Sequence, residues 1–415
     1  MKIRIRKRYL FYILAFSSAI ITALVSGLDS VTQLYITNPW VLGLVCFIFG
    51  IIISLSFSLL LSIPIKGKSL GSHTIDPSFH RIRLIKKEEV VYQLLAGFGN
   101  AILTIGYFML LSFMKGDVSV VLPFTQMVIL YLVIIESLSE KDTPTLVEVQ
   151  SGIIVTFGAM LGSITLSGNL NLVSLAIVFL IINPGWVLMS VYQRKLKLLQ
   201  INDRPNDAIN IRLWNVIIAC GFTALIIYGY DLYAGTSYIF DSITASLNHG
   251  SWVALIAVGT FFSFIFYIRA LGIGKASVTQ AVKATVIIFT IPVSILLGFI
   301  GIIPPFTTDP VMLLIKFMGI TLMLLGILSY ALTLTKAYVF ITMQPGFDIK
   351  QTMRQLWNVK GVSRVTAVAG HYDFIIKIRT RTLIKGYERI LRKIETIPGI
   401  KKFKWQSVLK EWEDI

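Results

Sequence analysis

The residues that could do chemistry here are polar side chains placed where a bilayer tolerates them least. Lys283 lies about two turns inside a long apolar segment, and Asn100, Gln126, Asn183 and Gln280 interrupt others. Ionisable groups in such segments are costly, so they mark a substrate or ion path unless they snorkel to headgroup water. The chemistry expected is binding rather than bond-making. Lys283 would attract an anionic group, such as a carboxylate, in a substrate cavity shared with Asn100, Gln126 and Gln280. Arg269, Lys316 and Glu136 lean toward an interfacial role. A second cluster, Gly370-His371-Tyr372-Asp373, falls between two expected strands, where Gly and Asp also serve simply as turn formers.

Other chemistry is not encoded. His73, His80, His249 and His371 have no metal-ligand spacing, so no metal site is expected. Cys46 and Cys220 lie inside apolar runs and read as packing residues. The run Gly272-Ile273-Gly274-Lys275-Ala276-Ser277 lacks the spacing and the preceding strand of a phosphate-binding loop. Neither an enzyme nor a cofactor is expected.

A membrane must position these groups. The chain is 55% hydrophobic and 14% charged, with a mean hydropathy of +0.77, whereas soluble domains carry roughly 25% charged residues. We expect ten spans of roughly 20 residues, near 9–28, 41–63, 91–114, 118–138, 149–166, 172–192, 213–231, 252–271, 277–298 and 311–334. Loops on one side carry Lys66, Lys68, Arg81, Arg83, Lys86 and Lys87, then Lys141, then Arg194, Lys195, Lys197, Arg204 and Arg212, then Lys275. Opposite loops hold almost no Lys or Arg apart from Lys115, and the loop expected at 232–251 has none. The positive-inside rule then puts both termini in the cytoplasm, with the chain multi-pass in the cytoplasmic membrane. The net charge of +17 reads as orientation rather than nucleic-acid affinity. The basic start followed by an apolar run without a small-residue cleavage site reads as an uncleaved first span. Pro123, Pro184 and Pro292 are expected to kink their spans.

The apolar part repeats. The stretch from Phe108 through Lys115-Gly116-Asp117-Val118-Ser119 parallels that from Phe266 through Gly274-Lys275-Ala276-Ser277-Val278. The offset is one five-span unit, and an odd number inverts the second copy across the membrane, as in many carriers. These stretches, with Gly97-Phe98-Gly99-Asn100, Tyr107-Phe108-Met109-Leu110, Pro123, Glu136, Pro144-Thr145, Gly152 and Arg269-Ala270-Leu271-Gly272, resemble the EamA-type unit of the drug/metabolite transporter superfamily. The resemblance covers about residues 9–334. It departs at the end of the ninth span, where Leu297-Gly298-Phe299 stands in place of an acidic residue. It implies a ten-span carrier of a small metabolite, built of two inverted repeats, 1–166 and 167–335, and driven by a gradient or by exchange.

The last eighty or so residues, 336–415, alternate differently. They predict β-α-β-β-α-β, with helices over 348–358 and around Tyr387–Ile394 and strands at 337–342, from Gly361, at 374–378 and around Phe403 and Trp405. Val359-Lys360-Gly361-Val362 matches Ile397-Pro398-Gly399-Ile400, the internal symmetry of an α+β ferredoxin-like fold. Through Gly361-Val362, Val368-Ala369-Gly370-His371-Tyr372-Asp373, Ile397-Pro398-Gly399-Ile400 and Val408-Leu409-Lys410-Glu411-Trp412, this tail resembles the effector-binding (RAM) domain of Lrp/AsnC regulators. The resemblance implies amino-acid or similar effectors, with Gly370, Tyr372 and Asp373 as effector-binding residues, and a homodimer formed through the sheet. The DNA-binding module that precedes the domain in that family has no room here, so no nucleic-acid partner is expected. The whole reads as a helical multi-pass bundle with a cytosolic sensor: a secondary transporter of a small metabolite, with amino acids and related compounds among the candidates. A non-transporting receptor, or a scaffold whose tail only dimerises, is the competing reading.

Overall fold

The computed structural model of the chain describes residues 7–113, 125–140, 146–163, 176–201, 204–301, 309–332, 334–359, 361–381 and 386–407. The repeat turn at 115–119, Pro123, Pro144-Thr145 and the stretch 408–412 lie outside these residues, as do the side chains of Glu136 and Lys316. The chain forms two compact units, 1–143 with 152–325, and 144–151 with 326–415.

Ahead of the tail the described α-helices run in order α1 (Lys7–Tyr35), α2 (Pro39–Leu61), α3 (Leu70–Thr74), α4 (Lys87–Phe113), α5 (Val128–Glu140), α6 (Leu146–Ser163), α7 (Asn183–Leu198), α8 (Ala208–Ala234), α9 (Tyr238–Leu271), α10 (Ala276–Lys283), α11 (Val286–Phe299) and α12 (Pro310–Leu332). Among the described residues six segments are long and apolar enough to cross a membrane: Tyr9–Tyr35, Pro39–Leu61, Lys87–Phe113, Ala208–Ala234, Tyr238–Leu271 and Ala276–Phe299. The chain is therefore read as a multi-pass membrane protein. The other four expected spans fall on α5, α6, α7 and α12, three of which adjoin undescribed residues at one end or both.

Local sequence explains several boundaries. Asn38 caps α2 by accepting the Trp40 N–H at 2.9 Å, with Pro39 as its first residue. Asp207 caps α8 through the Asn210 N–H at 2.7 Å. Two small hairpins follow α2 and α7, β1 (Pro64–Ile65) with β2 (Lys68–Ser69) and β3 (Gln200–Ile201) with β4 (Arg204–Pro205). Lys66 and Gly67 both take positive φ in the first, as a two-residue turn between twisted strands requires. α1 packs along α9, and α4 packs against both α7 and α8. Gly99 and Gly185 allow the α4–α7 approach: a Cβ on Gly99 would lie 2.6 Å from the Gly185 carbonyl oxygen.

Three features differ from the sequence expectation. The first helix continues past Leu28 to Tyr35, which brings Asp29 inside it. The loop expected at 232–251 is mostly helix. Gly235 ends α8 at φ +66°, and the Asp231 carboxylate accepts the N–H groups of Tyr238 and Ile239, both at 3.0 Å, starting α9 immediately. The ninth expected span is interrupted at Ala284-Thr285, ahead of Pro292, where N–H groups reach back three residues (Thr285 to Val282, Ile287 to Ala284). Pro184 is preceded by a π turn, Val178–Ile182.

In the second unit, β5 (Leu334–Met343), α13 (Ile349–Trp357), β6 (Val362–Ala367), β7 (Phe374–Arg381), α14 (Gly386–Glu395) and β8 (Ile400–Ser407) make a four-stranded antiparallel sheet of order β6-β7-β5-β8 with two helices. Val339 faces Ile376 on one side and Trp405 on the other. One sheet face, with Val339, Ile341, Phe374, Ile376 and Ile378, packs on Leu356, Ile390 and Ile394 of the helices. Tyr338, Phe340 and Ile375 alternate to the other face and remain half-buried. A single residue separates the end of α12 from the start of β5, so no module fits between them.

Candidate functional site

A cavity of about 140 Å³ lies within the first unit, with walls from α1, α2, α4 and α7 to α10. Lys283 lines it at the end of α10. Its side chain is buried, with Nζ 4.6 Å from the ring centre of Tyr267, 4.9 Å from Trp186 and 5.4 Å from Phe264. Such a box holds an ammonium by attraction to the ring faces. The side chain is only 2% exposed.

A second cation shares the cavity. Arg212 is 3% exposed, its guanidinium carbon 4.2 Å from the Phe264 ring centre, and its Nε and Nη1 have no hydrogen-bond partner. Among the described residues neither cation takes part in an ion pair. Asp29 is the cavity's carboxylate. Its Oδ2 accepts the Tyr107 hydroxyl at 3.1 Å, and its Oδ1 has no partner. Unpaired buried polar atoms cost free energy, so a cavity that retains several is preorganised for a ligand supplying the missing groups.

The four cavity residues expected from sequence are brought to one region, with different jobs. Lys283 and Asn100 line the cavity, and Asn100 Nδ2 donates to Asn215 Oδ1 at 2.9 Å. Gln126 and Gln280 stand behind the wall. Gln280 Nε2 donates to Gln126 Oε1 at 3.0 Å, Gln126 Nε2 donates to the Thr125 hydroxyl at 3.0 Å, and the Trp186 indole N–H donates to Gln280 Oε1 at 3.1 Å. The pair thereby fixes Trp186 and Thr125, which do line the cavity. Asn183 is fully buried beside the π turn and is not a lining residue. Arg212 and Asp29 were not singled out by sequence.

The basic loops form a buried polar lattice. Arg83 clamps Glu89 with two bonds, at 2.5 and 2.7 Å, and Asn206 bridges both partners. Lys197 Nζ donates to Asp76 Oδ2 at 2.7 Å and to the Asn206 carbonyl at 2.6 Å, and the Ala208 N–H also reaches Asp76. Burial opposes the Asp76 carboxylate, but the Lys197 charge and these hydrogen bonds hold its pKa below the usual carboxylate range. Burial pushes the neighbouring Asp207 up, partly offset by its bonds to Asn210. Arg269 donates to the Ile75 carbonyl, tying α9 to the same loop.

In the tail, Gly370, Tyr372 and Asp373 sit on the turn between β6 and β7. The Asp373 carboxylate accepts the Met343 N–H at 2.7 Å, while its own N–H donates to the Ile341 carbonyl at 2.8 Å and its carbonyl accepts the Val368 N–H at 3.0 Å. It is therefore committed to the turn and to β5. Tyr372 packs its ring 5.1 Å from that of Phe340, on the face away from the helices. Gly370 is exposed at φ +153°. A shallow groove at Met353, Arg354, Trp357, Asn358 and Val365 involves none of the three.

Residues 336–414 match the sequence profile of the Lrp/AsnC ligand binding domain. The tail is an Lrp/AsnC ligand-binding domain. It implies binding of a small-molecule effector in a chain whose long apolar helices imply a bilayer. No curated protein matches the chain. A solved structure described as "Crystal structure of protein" is similar at 12% identity, over 78% of this chain and 96% of its own, with a TM-score of 0.47.

Proposed function

We propose that the membrane unit is a secondary transporter of a small metabolite, an EamA-type carrier of ten spans in two inverted repeats. Both termini are cytoplasmic, and the Lrp/AsnC tail senses an effector, an amino acid or related compound, that regulates it. The observation carrying this reading is a cavity lined by two buried cations, neither of which, among the described residues, is paired to a protein anion. Groups so placed in a membrane segment mark a substrate path. The positive-inside bias supports the orientation, and the half-buried Tyr338, Phe340 and Ile375 support dimerisation through the sheet. Regulation requires the effector to bind the tail with different affinity in the two carrier states. No bond-making step is proposed.

A thermal-shift screen of metabolites on the purified full-length chain tests the site. A ligand that raises the melting temperature of the wild type but not of Lys283→Ala supports the cavity, because binding to the native state alone stabilises it. Equal shifts in both proteins would place binding elsewhere. The tail family gives a receptor reading its own support, since ligand sensing needs no transport. Solute uptake separates the two.

A further inference from the structure

The cavity has two electrostatic poles on different helices. Arg212 on α8 and Lys283 on α10 form one, and Asp29 on α1, held by Tyr107 of α4, forms the other. All three charged side chains are more than nine-tenths buried. Arg212 keeps Nε and Nη1 unpartnered and Asp29 keeps Oδ1 unpartnered, although both line the same space. Opposite charges that line one cavity without pairing, among the described residues, can each serve a different group of one bound molecule. Drug-sized ligands need roughly 300 Å³ or more, so about 140 Å³ restricts the occupant to something smaller.

We propose that this cavity selects a small amphoteric solute of the amino-acid class, with its carboxylate on Arg212 and its ammonium on Asp29. The arrangement satisfies both orphan sets at once. A planar guanidinium with two free nitrogens suits a carboxylate, and a carboxylate with one free oxygen suits an ammonium donor. Lys283, already boxed by three rings, adds positive potential to the carboxylate pole. A simple acid would leave Asp29 Oδ1 unpartnered and a simple amine would leave Arg212 Nε and Nη1 unpartnered, so each is disfavoured by the cost of the atoms it fails to satisfy. Asp29 is thus the residue that distinguishes an amino acid from its deaminated acid.

The inference rests on the cavity being a ligand site, as the transporter reading holds, but its test reads binding rather than transport. Calorimetric titration of the purified full-length chain with the common L-amino acids is expected to find at least one whose binding weakens about tenfold or more in Arg212→Gln. Its deaminated acid and its decarboxylated amine should each bind wild type about tenfold or more weaker than the amino acid. Asp29→Asn, nearly isosteric, should erase the preference for the amino acid over the acid, while the acid itself binds Asp29→Asn at least as well as wild type. Three outcomes would overturn the proposal: no amino acid bound in an Arg212-dependent manner, the acid bound as tightly as the amino acid by wild type, or an unchanged preference in Asp29→Asn. An amino acid that meets every binding criterion yet never crosses a liposome would overturn transport alone.

Discussion

Arg212 and Lys283 reach the same aromatic ring: the Phe264 centre lies 4.2 Å from the guanidinium carbon of one and 5.4 Å from the ammonium of the other. Two like charges converging on one buried ring destabilise a resting protein unless something anionic visits. That tension separates a functional site from a structural one, and it can be measured.

Replacing Lys283 by Met should raise stability and lower function together. Removing an unpaired buried charge gains roughly 1–2 kcal/mol once the lost cation–π attraction is deducted. Thermal melting should shift upward while ligand binding or uptake falls tenfold or more. A loss of stability in Lys283→Met would mean that the ammonium is structurally satisfied.

The α4–α7 crossing should tolerate no side chain. Alanine at Gly185 would place Cβ 2.8 Å from the Gly99 carbonyl oxygen and 3.0 Å from the Leu103 nitrogen, both backbone atoms that cannot swing aside. Gly99→Ala and Gly185→Ala should each cost about 1–3 kcal/mol. Gly221→Ala in α8, which meets nothing within 4 Å, should be neutral or slightly stabilising. Melting temperatures of the three variants check this.

The loop lattice should make stability fall on acidification. Asp76 has a folded-state pKa below its unfolded value of about 4. Its contribution is therefore complete above about pH 4 and is lost as pH falls through the folded-state value. Asp76→Asn should melt lower than wild type at pH 7 and show a smaller further drop in acid. Identical pH profiles would show that the Lys197–Asp76 bond at 2.7 Å adds nothing to stability.

In the tail, Asp373→Ala should destabilise the domain even without effector, by roughly 1.5–3 kcal/mol, because the Met343 N–H loses a charged acceptor. Hydrogen exchange at β5 in the full-length chain reads this. Loss of effector binding in that variant would then be ambiguous, so Tyr372→Ala is the cleaner probe of an effector role. Unchanged exchange would return Asp373 to the ligand site.

Sequence made the tail legible because its elements are short and strictly periodic: the alternation Val339, Ile341 and Phe374, Ile376, Ile378 defines a buried face without tertiary information. Lys283 and Asn100 stood out as polar residues in apolar runs. Gln126 and Gln280 were visible singly but not as a pair, since 154 residues separate them and only the fold joins them. Arg212 was taken for a loop charge because it sits at the polar edge of an apolar run. Asp29 fell just beyond the first expected span. A helix that continues past its most apolar stretch hides such residues from a hydropathy window, and the helix running from Tyr238 through the expected 232–251 loop was missed for the same reason.

The central claim, that the membrane unit carries a solute, is tested most directly by uptake into liposomes containing the purified full-length chain, with Arg212→Gln in parallel. The account expects saturable uptake of a ligand that binds the cavity, reduced about tenfold or more in the variant. Binding of that ligand with no uptake above protein-free liposomes, under either an inward gradient or exchange, would contradict it and leave a receptor.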